Sequence, residues 1–100
     1  MSEAQLDALV EEATVDCYNE AEQITGLLTV IEDELKVPFK TQVLGVDVTV
    51  ERVDLNDDER IVAICSREKL QQAIPLLDLP LPTPPPEGAR WIEAYRHWLG

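Results

Sequence analysis

The segment Asp16–Phe39, DCYNEAEQITGLLTVIEDELKVPF, decides the fold because it contains the strongest helical pattern in the chain. Apolar residues recur along it at three- and four-residue spacing, which places them on one face of an α-helix. Pro38 ends the pattern, because proline restricts the residue before it to extended backbone. The sequence therefore predicts a helix that buries one face in a core and stops before Pro38. Its apolar positions are Cys17, Ala21, Ile24, Leu28, Ile31 and Leu35.

The helical pattern also extends towards the N-terminus, so that residues 3–35 could form one helix. Ser2 can cap such a helix, and Gln5 follows at the spacing of a capping box. Residues 14–16 are two β-branched residues and an aspartate, which favour a kink or break. Gly26 indicates close approach of another element, because a glycine within a helix costs about 1 kcal/mol relative to alanine. We therefore predict a long N-terminal helix, kinked or broken near residues 14–16.

After Phe39 the apolar period changes from that of a helix to that of strands. Residues 46–50 alternate between apolar and polar, as in a strand buried on one face, and residues 52–53 break the alternation, which indicates a bulge. Residues 61–65 are apolar throughout and indicate a central strand, while Pro75 marks the next strand as an edge strand. The sequence predicts an antiparallel meander of three or four strands, or a partly closed barrel.

The C-terminal part combines a proline strap with a last helix. The strap, residues 78–86 (DLPLPTPPP), has five prolines, which exclude helix and favour extended backbone. Pro82 and Pro85 also match the spacing of a peptide-recognition motif, but leucines that alternate with prolines favour a segment packed on the sheet. We expect a single α+β domain over residues 1–100. The last helix has its apolar face at Trp91, Ile92, Tyr95, Trp98 and Leu99.

The composition is strongly acidic, with 20 Asp and Glu against 8 Lys and Arg and a net charge of −12. Nucleic acid and anionic membrane surfaces are poor partners for such a chain, because both attract basic proteins. Cations and basic proteins remain as partners. The sequence shows no pattern of a signal peptide and no apolar run of transmembrane length, so we expect a cytoplasmic protein. We also expect a monomer. Cys17 and Cys65 are expected to be reduced, buried thiols.

Enzymatic motifs are absent from the sequence. There is no nucleophile elbow, zinc-protease motif, phosphate-binding glycine loop or dinucleotide fingerprint. His97 is the only histidine, and we place it on an exposed helix, where catalysis is a poor interpretation. We therefore expect no enzymatic activity. The remaining enzymatic alternative is a base supplied by Glu22 or Glu32 in a cleft.

Clustered carboxylates are the chemistry that remains. Calcium takes roughly six to eight oxygen ligands, from carboxylates, carbonyls and water. Acidic residues cluster near the predicted helix break, at the end of the helix and in the turn after Asp54. The turn is not an EF-hand, because Glu59 would occupy the glycine position and Cys65 that of the bidentate glutamate. The candidate metal ligands are Asp16, Glu20, Glu22, Glu32, Asp33, Asp57 and Asp58.

A polar stripe borders the apolar face of the predicted helix, and two interpretations of it stay open. It could be a solvated flank, as acidic helix surfaces usually are. Alternatively, its carboxylates could face the rest of the domain and bind a ligand. The stripe comprises Tyr18, Glu22, Thr25, Thr29 and Glu32.

An ordered set of short motifs resembles the small acidic cyanobacterial calcium-binding proteins of the CcbP type. The motifs are Asp16-x-Tyr18, Glu22-Gln23-x-x-Gly26, Glu32-x-x-Leu35-x-x-Pro38-Phe39, VLGVDVTV, IVAIC, LLDLPLP and WIEAYRHWL. The resemblance implies a non-enzymatic cytoplasmic protein that buffers or sequesters Ca²⁺ through acidic surface groups. The alternative is an acidic interaction module that holds a basic protein without metal.

Overall fold

Three α-helices and a four-stranded antiparallel sheet form the fold, which confirms the predicted α+β class. The computed structural model describes residues 1–100. In chain order the elements are α1 (Glu3–Ala13), α2 (Glu20–Glu34), β1 (Phe39–Val43), β2 (Val46–Leu55), β3 (Ile61–Arg67), β4 (Leu70–Pro75), a short 3₁₀ turn (Leu76–Asp78) and α3 (Arg90–Leu99). None of the helices is long and apolar enough to cross a membrane.

The predicted long helix is two helices, so the expected break is confirmed. Asp16 has a φ of 66°, a left-handed conformation in which the helix cannot continue. The second helix, α2, begins four residues after this aspartate, at Glu20. Asn19 is the capping residue, and its side chain accepts a hydrogen bond from the backbone N–H of Glu22 at 2.8 Å. At the start of α1, Ser2 and Gln5 form the predicted capping box.

Gly26 is where α1 and α2 meet, as its place in the helix predicted. A Cβ atom built on it would lie 2.5 Å from the carbonyl oxygen of Ala13, at the end of α1. Every other residue type would therefore push the two helices apart. The absence of a side chain at this position allows α1 to fold back against α2.

The sheet has the order β1-β2-β3-β4, with antiparallel pairing throughout. The register shifts between Val50 and Arg52, which places a bulge in β2 next to the predicted position. β3 is paired on both sides, as expected for the apolar central strand. β1 and β4 do not pair with each other, so the meander stays open and the partial barrel is not formed.

The core lies between the helices and one face of the sheet. Leu27 and Ile31 of α2 and Val50 of β2 are fully buried. Tyr95 of α3 is buried as well, and its hydroxyl oxygen accepts the backbone N–H of Ile61 in β3 at 3.0 Å. This bond satisfies a polar group inside the core and ties the last helix to the sheet.

Two side-chain contacts hold the end of α3 against α1 and α2. His97 Nε2 lies 2.6 Å from Asp7 Oδ1 of α1, and Trp98 Nε1 donates to Gln23 Oε1 of α2 at 3.0 Å. The strap contacts the sheet at its start, where Thr41 Oγ1 of β1 donates to the carbonyl oxygen of Pro80. Asp78, which we assigned to the strap, belongs to the 3₁₀ turn.

Candidate functional site

The candidate ligands lie on the surface in three separate places. All seven are exposed, and none takes part in either of the two acid–base contacts, Arg96–Glu93 and His97–Asp7. No three Asp, Glu, His or Cys side chains come together in an arrangement that could hold a metal ion. Which of the seven bind an ion therefore stays a prediction. The structure does show how each group is held.

The first group surrounds the start of α2. Glu22 accepts the backbone N–H of Tyr18 with Oε2 at 2.8 Å, so its carboxylate forms part of the cap. Glu20 occupies the first turn of the helix. A helix carries partial positive charge at this end, which stabilises nearby carboxylates. Asp16 lies in the loop before it. The protein itself thus compensates the negative charge of Glu20 and Glu22 in this group.

The second group lies at the C-terminal end of α2, where the helix dipole is negative and disfavours carboxylates. Glu32 and Asp33, followed by Glu34, occupy the last turn, and no basic residue accompanies them there. The C-terminal end of a helix carries partial negative charge and carbonyl groups without intrahelical partners. Glu32 is about 18 Å from Glu20 along the axis, at 1.5 Å per residue. Carboxylate and carbonyl oxygens are the donors that Ca²⁺ uses.

The third group is the β2–β3 turn. The side-chain oxygen of Asn56 accepts the backbone N–H groups of Asp58 and Arg60, each at 2.9 Å. This asparagine therefore shapes the turn, a role the sequence reasoning did not assign to it. The carboxylates of Asp57 and Asp58 have no hydrogen-bond or ionic partner within the protein. They extend from a turn in which the backbone N–H groups of Asp58, Glu59 and Arg60 already have partners.

The polar stripe lies at the surface, just before the start of α2 and along one side of it. Its five residues are exposed, and Tyr18 is 87% exposed. The hydroxyls of Thr25 and Thr29 donate to the carbonyls one turn earlier, at 2.9 Å each. The hydrogen-bond donors of both hydroxyl groups are therefore satisfied within the helix itself. Glu22, Thr25 and Thr29 therefore fit the solvated flank, while Glu32 is exposed but also lines a cavity towards β2.

A small cavity lies between the end of α2 and β2. Its volume is about 120 Å³, and Glu32 and Arg52 line it together with four apolar residues. These two side chains do not form an ion pair. The apolar lining residues are Ile31, Leu35, Val37 and Val53. This cavity places one carboxylate of the second group next to apolar surface.

The two cysteines show no sign of reactive chemistry. Cys65 is buried in β3, and burial raises the pKa of its thiol, which keeps the group neutral. Cys17 is half-buried beside the start of α2, where its thiol donates to the carbonyl oxygen of Glu22 at 3.4 Å. Both are free thiols.

The fold and surface define a small α+β domain with hard oxygen donors that its own cations do not neutralise. A family model described as calcium binding, of the CcbP type, matches residues 7–99. This match spans nearly the whole chain, and the protein belongs to the CcbP calcium-binding family. No curated protein and no solved structure matches the chain.

Proposed function

We propose that this protein is a non-enzymatic Ca²⁺-binding protein that buffers or sequesters calcium in the cytoplasm through acidic surface side chains. The observation that carries the proposal is the family match over residues 7–99. The net charge of −12 supports it, because a bound divalent cation relieves the self-repulsion of the folded chain. None of the seven candidate carboxylates has a basic partner, which leaves them available to an ion.

We place the main binding surface at the end of α2, with Glu32 and Asp33 as its first ligands. The donor chemistry suits calcium, because carboxylates here adjoin the last carbonyl groups of a helix. The helix dipole also favours this position, because cations are stabilised at the C-terminal end of a helix. Two of the other candidates are weaker in this respect. Glu22 already accepts a backbone N–H, and Glu20 lies at the positive end of the helix.

The ligands are not assembled in advance, and this sets the expected affinity. Exposed side chains without ionic partners must be ordered when an ion binds, and this costs conformational entropy. We therefore expect dissociation constants between about 10⁻⁶ and 10⁻³ M, the range of sensor and weaker calcium sites. Mg²⁺ should bind more weakly, because it gives up its water reluctantly and requires near-octahedral geometry. A protein with such values takes up calcium only when the free concentration rises to about micromolar or above.

The proposal is tested by isothermal titration calorimetry together with thermal unfolding. Ca²⁺ should give saturable heat, and about 5–10 mM Ca²⁺ should raise the melting temperature. NaCl of equal ionic strength is the control, because general screening would act with either salt. No heat and no rise in melting temperature beyond that control would contradict calcium binding.

The same experiments separate the alternative, an acidic module for a basic protein. A partner that co-purifies with the chain, dissociates at high salt and is indifferent to Ca²⁺ would favour that module. A calcium effect on the chain alone, with no protein present, would favour the calcium-binding proposal. The two outcomes differ in whether the isolated domain responds to the ion.

A further inference from the structure

β4 lies at an edge of the sheet and leaves one side of its backbone unpaired. It pairs only with β3, and five of its six residues are exposed. The free N–H and C=O groups of an edge strand can accept another strand, and proteins usually protect such edges with charged residues. β4 reads LQQAIP and has no charged residue. Its only protection is Pro75 at the last position.

An apolar groove runs beside this edge on the face of the sheet that bears the core. In the β3–β4 register, Ile74 pairs with the buried Ala63, and Leu70, four residues earlier, lies on the same face. No helix residue lines the groove, whose volume is about 670 Å³. Leu70 remains 77% exposed and Leu44 is 98% exposed. The groove also includes Val43, Val46 and Val48.

The two ends of β4 carry opposite charge. Arg67 at the end of β3 and Lys69 in the turn that follows, with Glu68 between them, lie at its N-terminal end. Asp78 follows its C-terminal end, and the register also brings the acidic β2–β3 turn, residues 56–60, to that end. None of these charged groups takes part in an ion pair. The edge therefore has a basic end and an acidic end with a neutral strand between them.

We propose that β4 is the contact between two copies of this chain, paired antiparallel about a two-fold axis near Gln72 and Ala73. This arrangement brings Lys69 of each copy towards Asp78 of the other, so that both charged ends are complemented twice. A parallel arrangement would bring like ends together. The paired strands join the two four-stranded sheets into one and cover Leu70.

The dimer is weak and forms at high concentration. One short strand from each copy buries less area than the roughly 1,600 Å² of a standard stable interface. The net charge of −12 also opposes association, so the chain is a monomer in dilute solution. Screening limits this repulsion to about 8 Å at physiological ionic strength, whereas the contact itself is formed by neutral residues.

Sedimentation equilibrium of charge-swap variants tests the pairing. Lys69→Glu and Asp78→Lys should each raise the dissociation constant of the dimer by about tenfold, because each replaces two attractive contacts with two repulsive ones. An equimolar mixture should restore dimerisation, because every charge contact in a mixed dimer again joins opposite signs. General repulsion predicts otherwise, since Asp78→Lys lowers the net negative charge and would strengthen association. Association that follows net charge alone would overturn the proposal.

Matched substitutions at the two sheet edges locate the contact. Gln71→Lys on β4 should weaken the dimer, whereas Gln42→Lys on β1, with the same change in charge, should not. Amide hydrogen exchange gives a second measurement. Between about 10 µM and about 1 mM chain, the amides of β4 should become slower to exchange and those of β1 should not. A mass that stays monomeric over this range, or an extended basic peptide that binds β4 of a monomeric chain, would overturn the proposal.

Discussion

The two ends of α2 are both acidic, yet their carboxylates meet opposite conditions. At the start, Glu20 and Glu22 lie in the positive field of the helix, and Glu22 accepts a backbone N–H. At the end, Glu32 and Asp33 lie in the negative field with no basic residue in the last turn. Two acidic clusters of similar composition therefore have opposite effects on the stability of the helix. One cluster stabilises the helix, and the other is unfavourable in the helix dipole, where a bound cation would compensate it.

Each carboxylate contributes only a small free energy through the helix dipole, but this contribution is stabilising at the start of α2 and destabilising at its end. A charge near a helix end contributes about 0.3–1 kcal/mol, favourable for an anion at the start and unfavourable for one at the end. Two such residues at the end of α2 oppose folding by a comparable total. Ca²⁺ bound there reverses the sign, which links occupancy to stability. The comparison can be tested by changing each end separately.

The largest expected effect is on calcium binding. Neutralising the end of α2 with Glu32→Gln and Asp33→Asn should weaken Ca²⁺ binding by about a hundredfold, because two charged ligands are lost. Neutralising the start with Glu20→Gln and Glu22→Gln should change it by less than about threefold, an effect of general charge only. Isothermal titration calorimetry measures both.

Two further double variants are controls for this experiment. Glu11→Gln with Glu12→Gln alters the exposed surface of α1, and Asp57→Asn with Asp58→Asn alters the β2–β3 turn. All four double variants remove two negative charges. Equal losses in all of them would show that calcium only screens the acidic surface. A selective loss in the turn variant would move the binding surface there.

The middle of α2 provides a reference that calcium should not affect. Gly26→Ala should lower the free energy of unfolding by about 1–3 kcal/mol, although alanine favours helix, because its Cβ would meet the carbonyl oxygen of Ala13. Urea denaturation with and without Ca²⁺ measures this loss, which should be the same in both. A more stable variant would show that α1 can shift without cost.

Loss of the cap at the start of α2 should lower the free energy of unfolding and leave calcium affinity unchanged. Asn19→Ala should lower the free energy of unfolding by about 1 kcal/mol, because the N–H of Glu22 loses its acceptor. This corresponds to a fall of about 4–8 °C in melting temperature for a domain of this size. Asn19→Asp is the control and should keep the cap. If Asn19→Ala lost calcium affinity at a temperature where it is fully folded, the start of α2 would also contribute to calcium binding, and the contrast between the two ends would be wrong.

The smallest effect concerns the field of the helix in calcium-free protein. Asp33→Lys should raise the free energy of unfolding by about 0.3–1 kcal/mol, while Glu20→Lys should lower it by a similar amount. Both changes alter the net charge equally, so an influence of total charge would shift both in one direction. The difference between the variants should shrink in about 1 M NaCl, where screening acts over about 3 Å. Equal shifts of one sign would refute the contrast.

Local residue chemistry predicted much of the fold. The β-branched pair before Asp16 indicated the helix break, Gly26 the close helix contact, and Pro75 the edge strand, and the structure confirms all three. The cap at Asn19 was missed, because Asp16 and Asn19 are both capping residue types. The choice between them depends on backbone geometry after the break. The sequence also left open whether the strands form an open sheet or a partly closed barrel, because strand periodicity does not determine whether the two edge strands pair.

The candidate site was predictable as a set of residues and not as a geometry. The excess of acidic over basic residues and the resemblance to a calcium-binding family are properties of the sequence. The periodicity of α2 placed Glu22 and Glu32 beside the apolar face, but it did not show which side of that face the sheet and α3 would cover. The structure leaves this flank in solvent. It also shows that Glu22 is occupied by a backbone N–H.

The amino-acid sequence by itself determined the acidic charge, the type and order of the helices and strands, and the residues from which ligands can be drawn. These depend on side-chain type and on periods of a few residues. Only the tertiary structure decided which carboxylates the protein already compensates, because helix fields, caps and ion pairs depend on where chain segments meet. The contrast between the two ends of α2 arises at that level.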